Sequence, residues 1–188
     1  MLRLNEGIEY WKALPRNNQE ELMAADAFYD EEIFPLTAAD FVEKNFAAEN
    51  LYDTMFLTLG TSWQPLALSI MLHKPKRVIF LGTQDVQHEI SWIKQAVHDY
   101  NVEYSFYEVD KGQSVRLIDV VERLTAELRQ KGSICFDITG GTKAMVAAAA
   151  MIAYKLKIDV FYIEGQFMPV YRRPKPGSEV LIKLVQPN

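Results

Sequence analysis

From residue 51 onward, short apolar runs alternate with longer stretches of helical period. Tyr52–Leu59, Arg77–Leu81, Val102–Val109, Ser133–Ile138 and Asp159–Ile163 predict five strands. Helices are predicted between them, from about Trp63 to His73, Val86 to Tyr100, Val115 to Arg129 and Thr142 to Leu156. Strict alternation with short connections predicts an α/β fold, a mostly parallel sheet with helices on both faces. The alternation then stops. Phe167–Tyr171 and Glu179–Leu184 flank Arg172-Arg173-Pro174-Lys175-Pro176-Gly177, which predicts a C-terminal β-hairpin. Residues 1–50 read as a helical N-terminal extension, and residues 51–188 as one ligand-binding domain.

Within the extension, Ile8, Tyr10, Trp11 and Leu14 are expected along one side of a helix that ends before Pro15. A second helix is predicted from Gln19 to Asp30. A third is predicted to start at Thr37, read as an N-cap with Asp40 three positions on. The acidic cluster Glu20, Glu21, Asp26, Asp30, Glu31 and Glu32 reads as a solvated helix face.

Charge and composition narrow the function. A net charge of -5 over 188 residues argues against non-specific binding of long DNA or RNA, while leaving room for a short nucleotide in a local pocket. The single cysteine, Cys135, excludes an internal disulfide framework and a multi-cysteine zinc site. His73, His88 and His98 lack metal-ligand spacing, so no metal or cofactor is expected. No apolar run is long enough to span a bilayer and no signal-peptide pattern opens the chain, so a cytoplasmic location is expected.

The chemistry gathers at three strand ends. The first strand runs into Gly60-Thr61-Ser62-Trp63-Gln64, the second into Gly82-Thr83-Gln84-Asp85, and the fourth into Thr139-Gly140-Gly141-Thr142-Lys143. Open parallel sheets bind ligands outside the carboxyl ends of their strands. Adjacent glycines let a backbone approach a ligand closely, and the free N–H groups of a following helix favour an anion. Hydroxyls from Thr61, Ser62, Thr83, Thr139 and Thr142, with the Lys143 ammonium, suit ribose and phosphate oxygens. Neither the Walker A loop nor the dinucleotide fingerprint is present: a threonine precedes Lys143, an alanine follows it, and Gly60 has no glycine partner at the required offset.

Leu57-Thr58-Leu59-Gly60-Thr61-Ser62-Trp63-Gln64-Pro65, Phe80-Leu81-Gly82-Thr83 and Asp137-Ile138-Thr139-Gly140-Gly141-Thr142-Lys143-Ala144-Met145 resemble the motifs of CARF domains, the CRISPR-associated Rossmann-fold sensors. The resemblance covers about residues 51–188 and leaves residues 1–50 without a counterpart. It implies a Rossmann-like fold and a homodimer whose shared cleft binds a cyclic oligoadenylate, cyclic tetra-adenylate being the commoner ring, in type III CRISPR antiviral signalling. Under it, Gly60, Thr61, Ser62, Trp63, Gln64, Thr83, Gln84, Asp85, Thr139, Gly140, Gly141, Thr142 and Lys143 are the expected ligand-binding residues.

Beside a generic mononucleotide-binding domain or a doubly wound fold of another purpose, against which the missing Walker and dinucleotide fingerprints weigh, two readings stay open at this level. One is a sensor that passes the signal to an effector on another polypeptide or on the remainder of a longer, membrane-tethered or soluble protein. The other is a metal-independent ring nuclease relying on Lys143, Ser62 and Thr142, although no histidine stands in the three loops to act as general base. Trp63 reads either as a stacking platform or as core. The arm Met168–Arg173 reads either as a flap over the ligand or the dimer partner, or, through Arg172 and Arg173, as solvated hairpin charge.

Overall fold

A computed structural model of the chain describes residues 3–46, 51–109, 112, 114–171 and 173–185. The chain divides into two compact units, Met1–Ala47 with Gly165–Val180, and Ala48–Glu164 with Leu181–Asn188.

The larger unit is built on β1 (Thr54–Thr58), β2 (Arg77–Gly82), β3 (Glu103–Glu108), β4 (Ile134–Asp137), β5 (Asp159–Glu164) and β8 (Val180–Val185), in the spatial order β3-β2-β1-β4-β5-β8. The first five are parallel, with Thr54 opposite both Arg77 and Ile134, and Cys135 opposite Asp159. Every residue of β1 is buried, as a strand covered on both faces requires.

On one face lie α4 (Gln64–His73) and α5 (Glu89–Ala96), on the other α6 (Ser114–Leu128) and α7 (Lys143–Lys155). Leu117, Val121, Leu124 and Leu128 recur at helical spacing along α6. They close a core with Phe56, Phe136 and Val160 of the sheet and Met145, Ala149 and Ile152 of α7. Truncating Phe56 or Phe136 to alanine there costs about 3–5 kcal/mol. On the opposite face, His73 lies against Phe161 with ring centroids 4.2 Å apart, and Tyr52 donates its hydroxyl to Asp159 over 2.6 Å. Cys135 is fully buried, which pushes its thiol pKa up and keeps it protonated.

The smaller unit holds α1 (Leu4–Ala13), α2 (Gln19–Phe28), a π-helical turn (Tyr29–Ile33), α3 (Phe34–Lys44), β6 (Phe167–Met168) and β7 (Arg173–Pro174). Ile8, Trp11, Tyr29 and Ile33 form its core, with Met168 and Tyr171 packed against them. The Trp11 indole N–H donates to the Ala25 carbonyl at 3.0 Å. Arg16 caps the end of α1 through the Leu14 and Trp11 carbonyls, its guanidinium over the rings of Trp11 and Tyr171.

Four details differ from the sequence reading. Tyr10 is 57% exposed and lies against Phe28 rather than in the core. Thr37 is no cap: the helix runs through the π turn, and the buried Thr37 hydroxyl donates to the Ile33 carbonyl. The C-terminal antiparallel pair joins β6 to β7, whereas β8 continues the main sheet beside β5. Arg173 is not a solvated charge, since its side chain is 16% exposed and pairs with Asp26 at 3.1 Å and Asp30 at 2.9 Å. Those two carboxylates therefore leave the solvated face. Arg172 lies outside the described residues.

Candidate functional site

β1 stands at the point where the strand order reverses: β2 and β3 follow on one side of it, β4 and β5 on the other. The loops leaving β1 and β4 therefore flank the crevice that such a reversal opens. Each runs directly into a helix, Leu59–Trp63 into α4 and Ile138–Thr142 into α7.

The two loops meet backbone to backbone. A Cβ placed on Gly60 would lie 2.7 Å from the Gly141 nitrogen. One placed on Gly140 would lie 2.4 Å from the Thr58 carbonyl oxygen and 2.8 Å from the Gly60 nitrogen. Gly141 has φ +89°, a conformation that β-carbon residues rarely adopt. Thr58 locks the contact by donating its hydroxyl to the Gly140 carbonyl at 2.6 Å. The glycines serve the fit of one loop against the other.

Asp137 supports the second loop from beneath. It is wholly buried at the end of β4, and its Oδ1 accepts the Thr139 N–H at 2.8 Å, closing an Asx turn. Burial raises its carboxyl pKa, opposed by hydrogen bonds from Ser69 and Thr139. Thr139 in turn accepts the Ile163 N–H on its hydroxyl oxygen at 2.8 Å, which ties the loop to β5. Thr58 and Asp137 are site-building residues that the sequence reading placed in the family motifs but not among the ligand-binding residues. The Asp two places before a Thr-Gly-Gly turn was the available signal.

The remaining predicted residues separate by exposure. Thr61, Ser62, Thr142 and Lys143 are exposed. Thr142 caps α7, accepting the Met145 N–H on its hydroxyl oxygen, and Lys143 is the first residue of the helix. No acidic residue stands in the first turn of α4 or α7, so both helix N-termini present uncompensated positive potential. Trp63 and Gln64 are buried at the start of α4, which makes Trp63 core rather than a stacking platform. The β2 loop forms its own turn: the buried Thr83 hydroxyl donates to Asp85, and the exposed Gln84 amide donates to Gln87. The arm after β5 belongs to the smaller unit, where Met168 and Tyr171 pack on its aromatic core.

Among the described residues no cluster of His, Cys, Asp and Glu is arranged to hold a metal, and no helix is long and apolar enough to cross a membrane. The arrangement offers hydroxyl, ammonium and helix N–H donors to an anionic ligand across a preformed two-loop edge.

The family model of the Card1 CARF domain matches residues 68–173. A sequence search of curated proteins finds no match. Among solved structures, Can2 from Sulfobacillus thermosulfidooxidans in complex with cyclic tetra-adenylate aligns over 60% of this chain at 24% identity and TM-score 0.51. Protein VC1899 from Vibrio cholerae aligns over 59% at 13% identity and TM-score 0.52. A type III CRISPR defence DNA nuclease activated by cyclic oligoadenylate aligns over 76% at 12% identity and TM-score 0.52. The alignments span 32%, 30% and 27% of those chains, so they carry the fold and reach about a third of each relative's length.

Proposed function

The chain belongs to the Card1 CARF-domain family, and from that premise we propose that its β1 and β4 loops bind a cyclic oligoadenylate, cyclic tetra-adenylate in the first instance. The observation that carries the reading is the interlocked glycine edge ending in Lys143 at an acid-free helix N-terminus. A lysine there opposes the helix dipole by about 0.3–1 kcal/mol, a burden that a bound phosphate reverses. Thr61, Ser62 and Thr142 stand exposed beside it to meet phosphate and 2′-hydroxyl oxygens. Thr139, Gly140 and Gly141 shape the edge, while Gln84 and Asp85 supply amide and carboxylate groups for adenine edges.

A ring of four adenylates has two-fold symmetry, so two copies of this chain can present the same loops to its two halves. The exposed face of α7 begins one residue after Lys143. Ala144, Ala147, Met151 and Tyr154 recur along it, and Met151 and Tyr154 are 69% and 74% exposed. That apolar stripe is where the second copy sits in this reading. Ligand closure of the dimer then signals to an effector, in keeping with the activated nuclease and the ligand-bound Can2 among the structural relatives.

Calorimetric titration of cyclic tetra-adenylate and cyclic hexa-adenylate into the wild type and Lys143→Ala tests the proposal, with recovered ligand checked for linear products. One ring bound per two chains, lost in the variant and recovered intact, is the expected result. Recovery of linear products reassigns the site to a ring nuclease. Absence of binding by either ring overturns the reading.

A further inference from the structure

Five consecutive main-chain N–H groups of the β4 loop, those of Gly140, Gly141, Thr142, Lys143 and Ala144, have no hydrogen-bond partner among the described residues. Their neighbours on either side are satisfied. The Thr139 N–H goes to Asp137 Oδ1 at 2.8 Å, and the Met145 N–H to Thr142 Oγ1 at 3.3 Å. A helix start leaves its first N–H groups without intrahelical acceptors, here those from Thr142 to Met145. Gly140 and Gly141 therefore extend the row beyond what the helix end accounts for. Successive N–H groups passing through a left-handed residue curl toward a common point that suits an anion, and Gly141 at φ +89° is such a residue.

Which way the Gly140–Gly141 peptide faces decides whether this row is continuous. The peptide is trans and planar, so its C=O and N–H point in opposite directions. Glycine on both sides removes the β-carbons that would otherwise restrict its rotation. The Thr58 side chain supplies the missing restriction. Wholly buried at the end of β1, it donates its hydroxyl to the Gly140 carbonyl at 2.6 Å. The carbonyl is drawn toward β1 and the Gly141 N–H is turned the other way. Rotated by half a turn, the same peptide would set an oxygen where the row now presents a hydrogen, and an anion would meet the negative end of its dipole.

We propose that Thr58 is a positioning residue for ligand binding: by holding the Gly140 carbonyl it keeps the Gly141 N–H available to a phosphate oxygen of the bound ligand. The inference rests on the cyclic oligoadenylate reading of this site and adds to it a residue that never touches the ligand. Its side chain is buried beneath the loop, so its whole effect passes through one peptide. The Lys143 ammonium acts as a point charge, whereas a main-chain donor binds only where it points.

The test compares the full wild-type chain with Thr58→Val, Thr58→Ala and Thr58→Ser. Valine keeps the branched shape of threonine without the hydroxyl, and serine keeps the hydroxyl. Residual dipolar couplings read the direction of the Gly141 N–H in the unliganded protein, and calorimetry reads the affinity for cyclic tetra-adenylate. In Thr58→Val and Thr58→Ala the N–H direction is expected to change and the ring to bind about tenfold more weakly, the worth of one hydrogen bond to a charged group. Thr58→Ser is expected to match the wild type in both readouts, and ring addition to move the wild-type Gly141 amide resonance. An unchanged N–H direction in the hydroxyl-free variants overturns the proposal, with or without ligand. So does equal weakening in Thr58→Ser, which makes Thr58 a packing residue. Ring binding that leaves the wild-type Gly141 resonance in place also overturns it, and requires no variant to fold. A ring that binds all four proteins alike overturns this proposal alone. Couplings that change as expected while the wild type binds no ring overturn the cyclic oligoadenylate reading, and this proposal falls with it.

Discussion

Replacing Gly140 by alanine drives a methyl group into the main chain of the neighbouring loop. The new carbon would stand 2.4 Å from the Thr58 carbonyl oxygen and 2.8 Å from the Gly60 nitrogen. Both obstacles are backbone, so no side-chain rotation relieves them and the loops must part. Overpacking of this kind costs about 1–3 kcal/mol, and loss of the 2.6 Å Thr58–Gly140 hydrogen bond adds about 1 kcal/mol. At roughly 2–4 °C per kcal/mol for a chain of this size, a fall in Tm of about 5–15 °C is expected by scanning calorimetry. Gly165→Ala is the control. Its nearest neighbours would be 3.8 and 3.9 Å away and its backbone is not left-handed, so its effect should stay within about 0.5 kcal/mol. A Gly140→Ala melt within 2 °C of wild type, or a Gly165→Ala melt as low as that of Gly140→Ala, would refute the interlocked edge.

Three further outcomes are expected. Lys143→Ala should leave the unliganded Tm unchanged or slightly raised, because it removes a cation from a helix N-terminus, while eliminating the thermal shift caused by cyclic tetra-adenylate. Asp137 has a raised folded pKa, so its contribution to stability is full below the ordinary carboxyl pKa of about 3.9 and is lost as pH rises through the folded value. Asp137→Asn should therefore gain on wild type as pH rises from below the ordinary carboxyl pKa through the folded value, measured by paired melts; a difference independent of pH would remove the buried-carboxyl argument. Arg173→Ala strips the counter-charge from Asp26 and Asp30 and should destabilise the smaller unit by about 1–3 kcal/mol in denaturant titrations, the low end reflecting their partial exposure.

The alternation of strands and helices was legible because each buried strand is a nearly unbroken apolar run and each helix carries its own period. What pairs with what was less so. Glu179–Leu184 has strand character in isolation, yet its place beside β5 is decided by a partner far back in the sequence. The glycines of both loops were visible, but that Gly60 faces Gly140 and Gly141 depends on β1 and β4 being neighbours. Thr139 looked like a ligand donor because a hydroxyl in a glycine loop does not reveal its own partner, here the Ile163 N–H. Arg173 misled for the same reason: its carboxylates lie more than 140 positions earlier.

The chain leaves the larger unit after Glu164 and re-enters it at Leu181, and the intervening hairpin completes the core begun by the first helices. This gives synthesis an order. Trp11 and Tyr29 are made early, but Met168, Tyr171 and Arg173 arrive only after the parallel strands have been translated. At about 5–20 residues per second, the helices wait roughly 10–30 s on the ribosome with one side of their aromatic cluster uncovered. During that interval the N-terminal segment is a natural client for a chaperone, and truncation before residue 165 would leave it one permanently.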